Sequence, residues 1–287
     1  MSQASELVTT ETADVFPKSR YLMCAPDYFG VEYVINPWMQ GNQGRTTHNA
    51  QAQWHALHDL LSETLHVGVE VLPGQPGLPD MVFTANAGLV RGNQVVPTRF
   101  RFAERQREEP FFHEWFRLSG YKMQELPEKI AFEGEGDALF DRTVPDLLWA
   151  ADGYRSDAES HSYLAQIFGV EVIPLKLADP RFYHLDTCFA PLPGGRYLWF
   201  PSAFDADSQR RITERIPEAD RHALSEEDAI AFAANAIPVR DDALVLNAAS
   251  DALRRWLQDR GITPHMTPLT EFMKAGGSAK CLVLTLP

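Results

Sequence analysis

One unit recurs along this chain: an amphipathic helical stretch, a short apolar strand, then a second and more apolar strand. His48 to Leu65 sets Trp54, Leu57, Leu61 and Leu65 at helical spacing, and Val67 to Leu72 follows and stops at Pro73. Phe102 to Leu118 carries Phe111, Phe112, Trp115 and Phe116 and leads to Tyr121 to Pro127. Tyr163 to Phe168 leads to Val170 to Pro174, and Asp251 to Arg260 leads through Gly261 to Met266. A fifth copy is read in Ser225 to Val239, where Ser225-Glu226-Glu227-Asp228 has the form of a helix start. The second strands are Met81-Val82-Phe83, Ala138-Leu139-Phe140, Cys188-Phe189-Ala190, Leu244-Val245-Leu246 and Cys281 to Leu284.

Alternation of this kind excludes an all-helical protein and a sandwich, and leaves α/β or α+β. A module of roughly 50 residues cannot bury its own apolar face, so modules must pack around a shared axis. No Gly/Ser-rich or Pro-rich linker interrupts the chain. Residues 20–287 are therefore expected to form one domain behind a polar, mobile tail, 1–19.

Charge narrows the partners. Lys plus Arg is 26 against 39 Asp plus Glu, a balance of −13. That surface does not suit phosphate contacts, so nucleic acid and anionic membrane are not expected, whereas a small cation is compatible. No apolar run reaches the ~18 residues that a membrane span requires. Three cysteines, Cys24, Cys188 and Cys281, make no disulfide framework and suit a reducing, cytoplasmic compartment. Nothing in the sequence fixes an oligomeric state.

Polar residues gather at the starts of the more apolar strands. They are Asn36 after Tyr33-Val34-Ile35, Asn86 in Phe83-Thr84-Ala85-Asn86, the Glu133-Gly134-Glu135-Gly136-Asp137 run, His184-Leu185-Asp186, and Cys281. Modules around an axis would turn these strand ends toward a common cavity. Cys281 follows Gly276-Gly277-Ser278-Ala279-Lys280, a run that permits close backbone approach. Lys280 would lower the thiol pKa if both side chains turn the same way. From the residues alone, a nucleophile and a buried core cysteine both stay open. Cys24 and Cys188 read as core.

His184 and Asp186, two apart, would share a face if they lie on a strand, either as an acid/base pair or as a structural pair. The three carboxylates from Glu133 to Asp137 are crowded enough to keep one protonated, or form an ordinary acidic turn. Arg99, Arg101, Arg105 and Arg107 read as the solvated start of a helix, with one arginine free to fork onto a substrate carboxylate. His55 and His58 share a helix face without the partners of a metal site. There is no GxxxxGK[ST] or GxSxG motif, and Gly134-Glu135-Gly136 lacks the third glycine of a dinucleotide fingerprint.

Taken in order, four of these motifs resemble the guanidino-group-modifying superfamily of arginine deiminases, dimethylarginine dimethylaminohydrolases and amidinotransferases. They are Phe83-Thr84-Ala85-Asn86, Glu133 to Asp137, His184-Leu185-Asp186-Thr187, and Gly276-Gly277 with Cys281. The resemblance implies a five-module pseudo-symmetric α/β propeller (the pentein fold) with the site on its axis. It also implies covalent catalysis without metal or organic cofactor. Cys281 would attack the guanidinium carbon, His184 would act as general acid and base, and Glu133 would support it. Asp186 would hold the guanidinium nitrogens.

The sequence departs from the deiminase pattern in three places. Asn86 stands where FTRD has aspartate, the EGGD run is one residue longer so that Glu135 is a stand-in for Glu133, and the glycine run before Cys281 is sparser. With Asn36-Pro37-Trp38-Met39, this is similar to the arginine dihydrolase subgroup, which takes arginine to ornithine, ammonia and carbon dioxide. There Asn36 and Asn86 would bond the guanidino end and Arg105 the substrate carboxylate. The alternatives are a dimethylargininase, an amidinotransferase, and a non-catalytic arginine-binding protein.

Overall fold

The computed structural model describes residues 20–44 and 48–287. The expected tail, 1–19, lies outside the described residues. Among the described residues, fifteen strands form five three-stranded sheets. They are β1 (Arg20–Cys24) and β2 (Gly68–Leu72); β3 (Gly88–Arg91), β4 (Gln94–Pro97) and β5 (Lys122–Met123); β6 (Ala138–Phe140), β7 (Leu147–Asp152) and β8 (Glu171–Lys176); β9 (Phe189–Leu192), β10 (Arg196–Trp199) and β11 (Arg221–Ala223); β12 (Ile237–Arg240), β13 (Ala243–Leu246) and β14 (Thr263–Met266); and β15 (Leu284–Leu286).

Every sheet repeats one rule. An inner strand pairs antiparallel with a middle strand, and the middle strand pairs parallel with an outer one. The last sheet joins the two ends of the described chain, because β15 pairs antiparallel with β1 and β1 pairs parallel with β2. A parallel return needs a crossover, and each middle-to-outer connection carries a helix. These helices include Ala50–Asp59, Glu109–Leu118, Ser160–Phe168, Ala206–Arg215 and Asp251–Gln258. Their ends obey local chemistry. Asp205 accepts from the Ser208 amide and Ser250 from the Leu253 amide, and Gly169 closes Ser160–Phe168 at φ 65°. Each helix lays a stripe on its sheet; Leu253 and Leu257, four apart, are fully buried, each contributing about 1.5–3 kcal/mol.

The five-module α/β propeller is therefore the observed fold, with three revisions. Met81–Phe83 is not a strand. Met81 and Val82 lie in a 3-10 turn, Pro79–Val82, that Phe83 closes, and β3 begins later. In the same way Cys281 and Leu282 lie in the 3-10 turn Lys280–Leu282, and β15 begins only at Leu284. The fourth module's helix is Ala206–Arg215, whereas the Ser225 helix start is real but caps only Glu226–Ile230 before inner strand β12. Pro174 and Pro264 sit within β8 and β14 and do not end them. Both are outer strands with one hydrogen-bonded neighbour, so a missing N–H is tolerated. Among the described residues no helix is long and apolar enough to cross a membrane.

The inner strands converge. An axial cavity of ≈ 130 Å³ is lined by residues of every inner strand, among them Val90, Leu139, Pro191, Ile237 and Thr285, and is floored by Glu135, Asp186 and Lys280.

Candidate active site

A tight turn precedes each inner strand. Thr84–Ala87, Gly134–Gly136, Leu185–Thr187 and Lys280–Leu282 are 3-10 turns leading into β3, β6, β9 and β15. In the fifth module Asn235 lies in the corresponding turn before β12. Three residues ahead of each strand stand Ala85, Glu135, Asp186, Ala234 and Cys281. Equivalent positions thus carry the thiol and two of the carboxylates, which pseudo-symmetry turns toward the axis.

Cys281 is 2% exposed. Its Sγ lies 3.4 Å from Asp186 Oδ2 and accepts from Asn235 Nδ2 at 3.1 Å. Burial and the Asp186 carboxylate push the thiol well above its ordinary value. Burial also lifts Asp186 to about 7, opposed by Lys280. The two groups are coupled, and together they retain a proton near neutrality. Lys280 itself turns away from the sulfur, because its Nζ donates to Glu135 Oε2 at 2.7 Å and to the Val283 carbonyl. The expected lysine activation of the thiol is not what this geometry provides.

His184 and Asp186 do not share a strand face. His184 caps the Leu185–Thr187 turn, and at three residues per turn a spacing of two points side chains apart. Its Nε2 instead meets Glu133 Oε2 at 2.8 Å. Burial alone would raise Glu133, but the Arg155 guanidinium at 3.0 Å and the imidazole hold it well below the usual carboxylate range. With Nε2 committed to Glu133, the lone pair of the neutral ring falls on Nδ1. His184 Nδ1, Asp186 Oδ1 and Asp80 Oδ1 are buried and have no hydrogen-bond partner among the described residues. Gly136 makes room for the ring. A Cβ there would lie 3.2 Å from His184 Cγ and Cδ2 and would overlap Asn86 Nδ2.

The other expected residues are distributed around this core. Asn86 accepts from Arg105 Nη1 at 2.7 Å and donates to the Glu133 carbonyl at 3.3 Å. Arg105 is 3% exposed, not solvated, and its fork grips Glu108. Asn36 caps Pro37–Met39 through Oδ1 and donates to the Ala275 carbonyl, beside Gly276. Glu135 is taken up by Lys280 and the Thr285 amide, on the cavity side. Of the two glutamates, Glu133 is the one that meets the imidazole.

Three residues at the centre escaped the sequence reading. Arg155 reaches Glu133 and the Ile35 carbonyl and lies 4.6 Å from the Tyr183 ring centroid. Asp80 accepts from the Tyr33 hydroxyl at 2.9 Å. Neither carries a motif: Arg155 sits on a loop and Asp80 in the Pro79–Val82 turn. Asn235 had a signal, since Ala234-Asn235-Ala236 repeats Ala85-Asn86-Ala87 at the same distance from an inner strand.

Comparison with known proteins gives this arrangement a family. Residues 26–286 match the family model described as N,N dimethylarginine dimethylhydrolase, eukaryotic. The chain belongs to the guanidino-group-modifying superfamily. Within that superfamily it is 51% identical over 266 residues to the bifunctional arginine dihydrolase/ornithine cyclodeaminase AgrE of Nostoc sp., covering 92% of this chain and 37% of that protein. The chain thus spans little more than a third of that relative's length. Among solved structures, the N-terminal domain of ArgZ, a cyanobacterial arginine dihydrolase crystallised as a cysteine-to-serine variant bound to substrate, superposes with a TM-score of 0.90. The identity is 50%, over 93% of this chain and 97% of that one. The same domain, as an asparagine-to-serine variant covalently bonded to a reaction intermediate, gives 0.91 at 49% identity over 94% and 98%.

Proposed function

We propose that this superfamily member hydrolyses the guanidino group of free arginine by covalent catalysis, as an arginine dihydrolase yielding ornithine, two ammonia and carbon dioxide. One observation carries the reading: a buried thiol in contact with a carboxylate that has an unpartnered oxygen, grouped with a Glu133-oriented imidazole that has an unpartnered nitrogen. A planar cation suits such a site, since a buried guanidinium needs carboxylates at its edges. Its positive charge offsets the two influences that keep the thiol protonated, so binding itself favours the thiolate.

The Cys281 thiol gives up its proton to the free Nδ1 of His184, the resulting thiolate attacks the guanidinium carbon, and a tetrahedral adduct forms. His184 delivers a proton from Nδ1 to the departing ammonia, leaving a thiouronium on Cys281. The same nitrogen then takes a proton from water, which adds to the carbon, and the C–S bond breaks. Asn86, a neutral amide, makes no demand for a cation, so the uncharged ureido product stays for a second attack. Asp80, with its free oxygen, and Arg155 supply opposite charges for the ammonium and carboxylate of an amino acid. The covalent intermediate seen in the ArgZ domain supports this chemistry. Three free thiols suit a cytoplasmic enzyme.

A second reading, dimethylargininase giving citrulline and dimethylamine, is favoured by the matched family model. Incubation of the protein with arginine, dimethylarginine and citrulline, with products separated by mass, decides between them. Ornithine from both arginine and citrulline is expected. Citrulline as an unconsumed end product would refute the dihydrolase, and unchanged turnover by Cys281→Ser would refute the nucleophile.

A further inference from the structure

The side-chain amide of Asn235 has only one orientation open to it. Its Oδ1 accepts from the backbone amides of Ser278 and Cys281, both at 3.1 Å. An amide nitrogen at that position would face two donors, so the oxygen is fixed there. Nδ2 must then point the other way. One of its hydrogens goes to the Asp186 carbonyl at 3.0 Å and the other to Cys281 Sγ at 3.1 Å. Asn235 is fully buried, and its own carbonyl accepts from the Lys280 amide. Every bonding position of the amide is occupied, and four of the contacts reach the turn that carries the thiol or the turn that carries Asp186.

We propose that Asn235 is a catalytic group of this site: a rigid N–H donor that stabilises the Cys281 thiolate and aims its sulfur. The proposal rests on Cys281 being the nucleophile. A neutral thiol is a weak acceptor and a thiolate a strong one, so a donor fixed in advance favours the charged form without reorganisation. The need for it is local. Burial and Asp186 both disfavour the thiolate, and Lys280, the one cation adjacent in sequence, is turned toward Glu135. Asn235 also spans two modules, so it sets the Cys281 turn against the Asp186 turn and fixes the space into which a guanidinium carbon must fit.

The test compares Asn235→Asp with Asn235→Ala. Aspartate keeps the shape and the oxygen that holds the Ser278 and Cys281 amides, but loses the donor and places negative charge beside sulfur. Alanine loses both. Thiolate formation is followed by ultraviolet absorbance against pH, as the difference from Cys281→Ser, together with kcat and KM for arginine. Both variants are expected to titrate at higher pH than the parent, N235D the further of the two. Both should lose kcat by about 10²-fold with KM changed only a few-fold. If N235A does not fold, N235D, which retains the backbone contacts, carries the test. A parent-like midpoint and kcat in N235D would overturn the proposal and leave Asn235 as a brace for the loop. Should Cys281→Ser retain arginine turnover, the nucleophile reading fails instead, a result separate from any shift in thiol titration.

Discussion

Asp186 Oδ2 lies 3.4 Å from Cys281 Sγ, and the relation is one-sided: the carboxylate makes the thiol harder to ionise, whereas the thiol's hydrogen bond favours the carboxylate, which burial raises. Replacing Asp186 by Asn removes a negative neighbour from the sulfur. The thiol should then titrate at lower pH, while the KM for arginine rises at least tenfold because the cation loses a carboxylate. Thiolate absorbance and steady-state kinetics on one preparation check both signs.

The same variant has a stability consequence. Asp186 titrates near 7 in the fold against ~4 in an unfolded chain. Its contribution is fully present below ~4 and is lost as pH rises through 7. Asp186→Asn should therefore melt higher than the parent at pH ~8, with a smaller difference at pH ~5. Calorimetry at the two pH values measures this, and an equal difference at both would contradict the assignment.

Glu133 runs in the opposite direction. Held down by Arg155 and His184, it contributes stability that is present above the ordinary ~4.3 and is lost as acid reaches its lower folded value. Glu133→Gln leaves a buried arginine without its counter-charge, at a cost of about 3–5 kcal/mol near neutrality that narrows in acid. It also frees the His184 ring, so kcat should fall about 10²–10⁴-fold. Urea unfolding against pH separates the two effects.

Gly136 is a packing constraint on the imidazole. Gly136→Ala should displace His184 and Asn86 while leaving Cys281 untouched. A loss of about 10²-fold in kcat with unchanged thiol titration is expected, since a shift of an ångström in a reacting group is enough.

Lys280→Met strands Glu135 with the Thr285 amide as its remaining partner and removes the cation that restrains Asp186. The fold should lose about 3–5 kcal/mol and Asp186 should titrate higher still. KM for arginine should rise more than kcat falls. A lysine that activated sulfur directly would give the reverse, so the KM-against-kcat split reads the difference.

Local sequence determined a good deal. Periodic Leu, Trp and Phe positions located four of the five crossover helices, apolar runs located inner strands β6 and β9 and middle strand β13, and their alternation required modules around an axis. The polar residues ahead of those strands marked where chemistry would gather, because a period that repeats in sequence repeats in space. Partner choice was not legible in this way. That Glu133, rather than Glu135, meets His184, that Lys280 turns from sulfur to Glu135, and that Arg155, Asp80 and Asn235 belong to the centre were decided by tertiary structure. The strands that face the axis impose their alternation on neighbouring residues, but the turns before them are 3-10, and a change of one residue there rotates a side chain by a third of a circle. Which carboxylate meets which cation then depends on contacts between modules more than forty residues apart, such as Glu133 with His184, and local periodicity has no term for these.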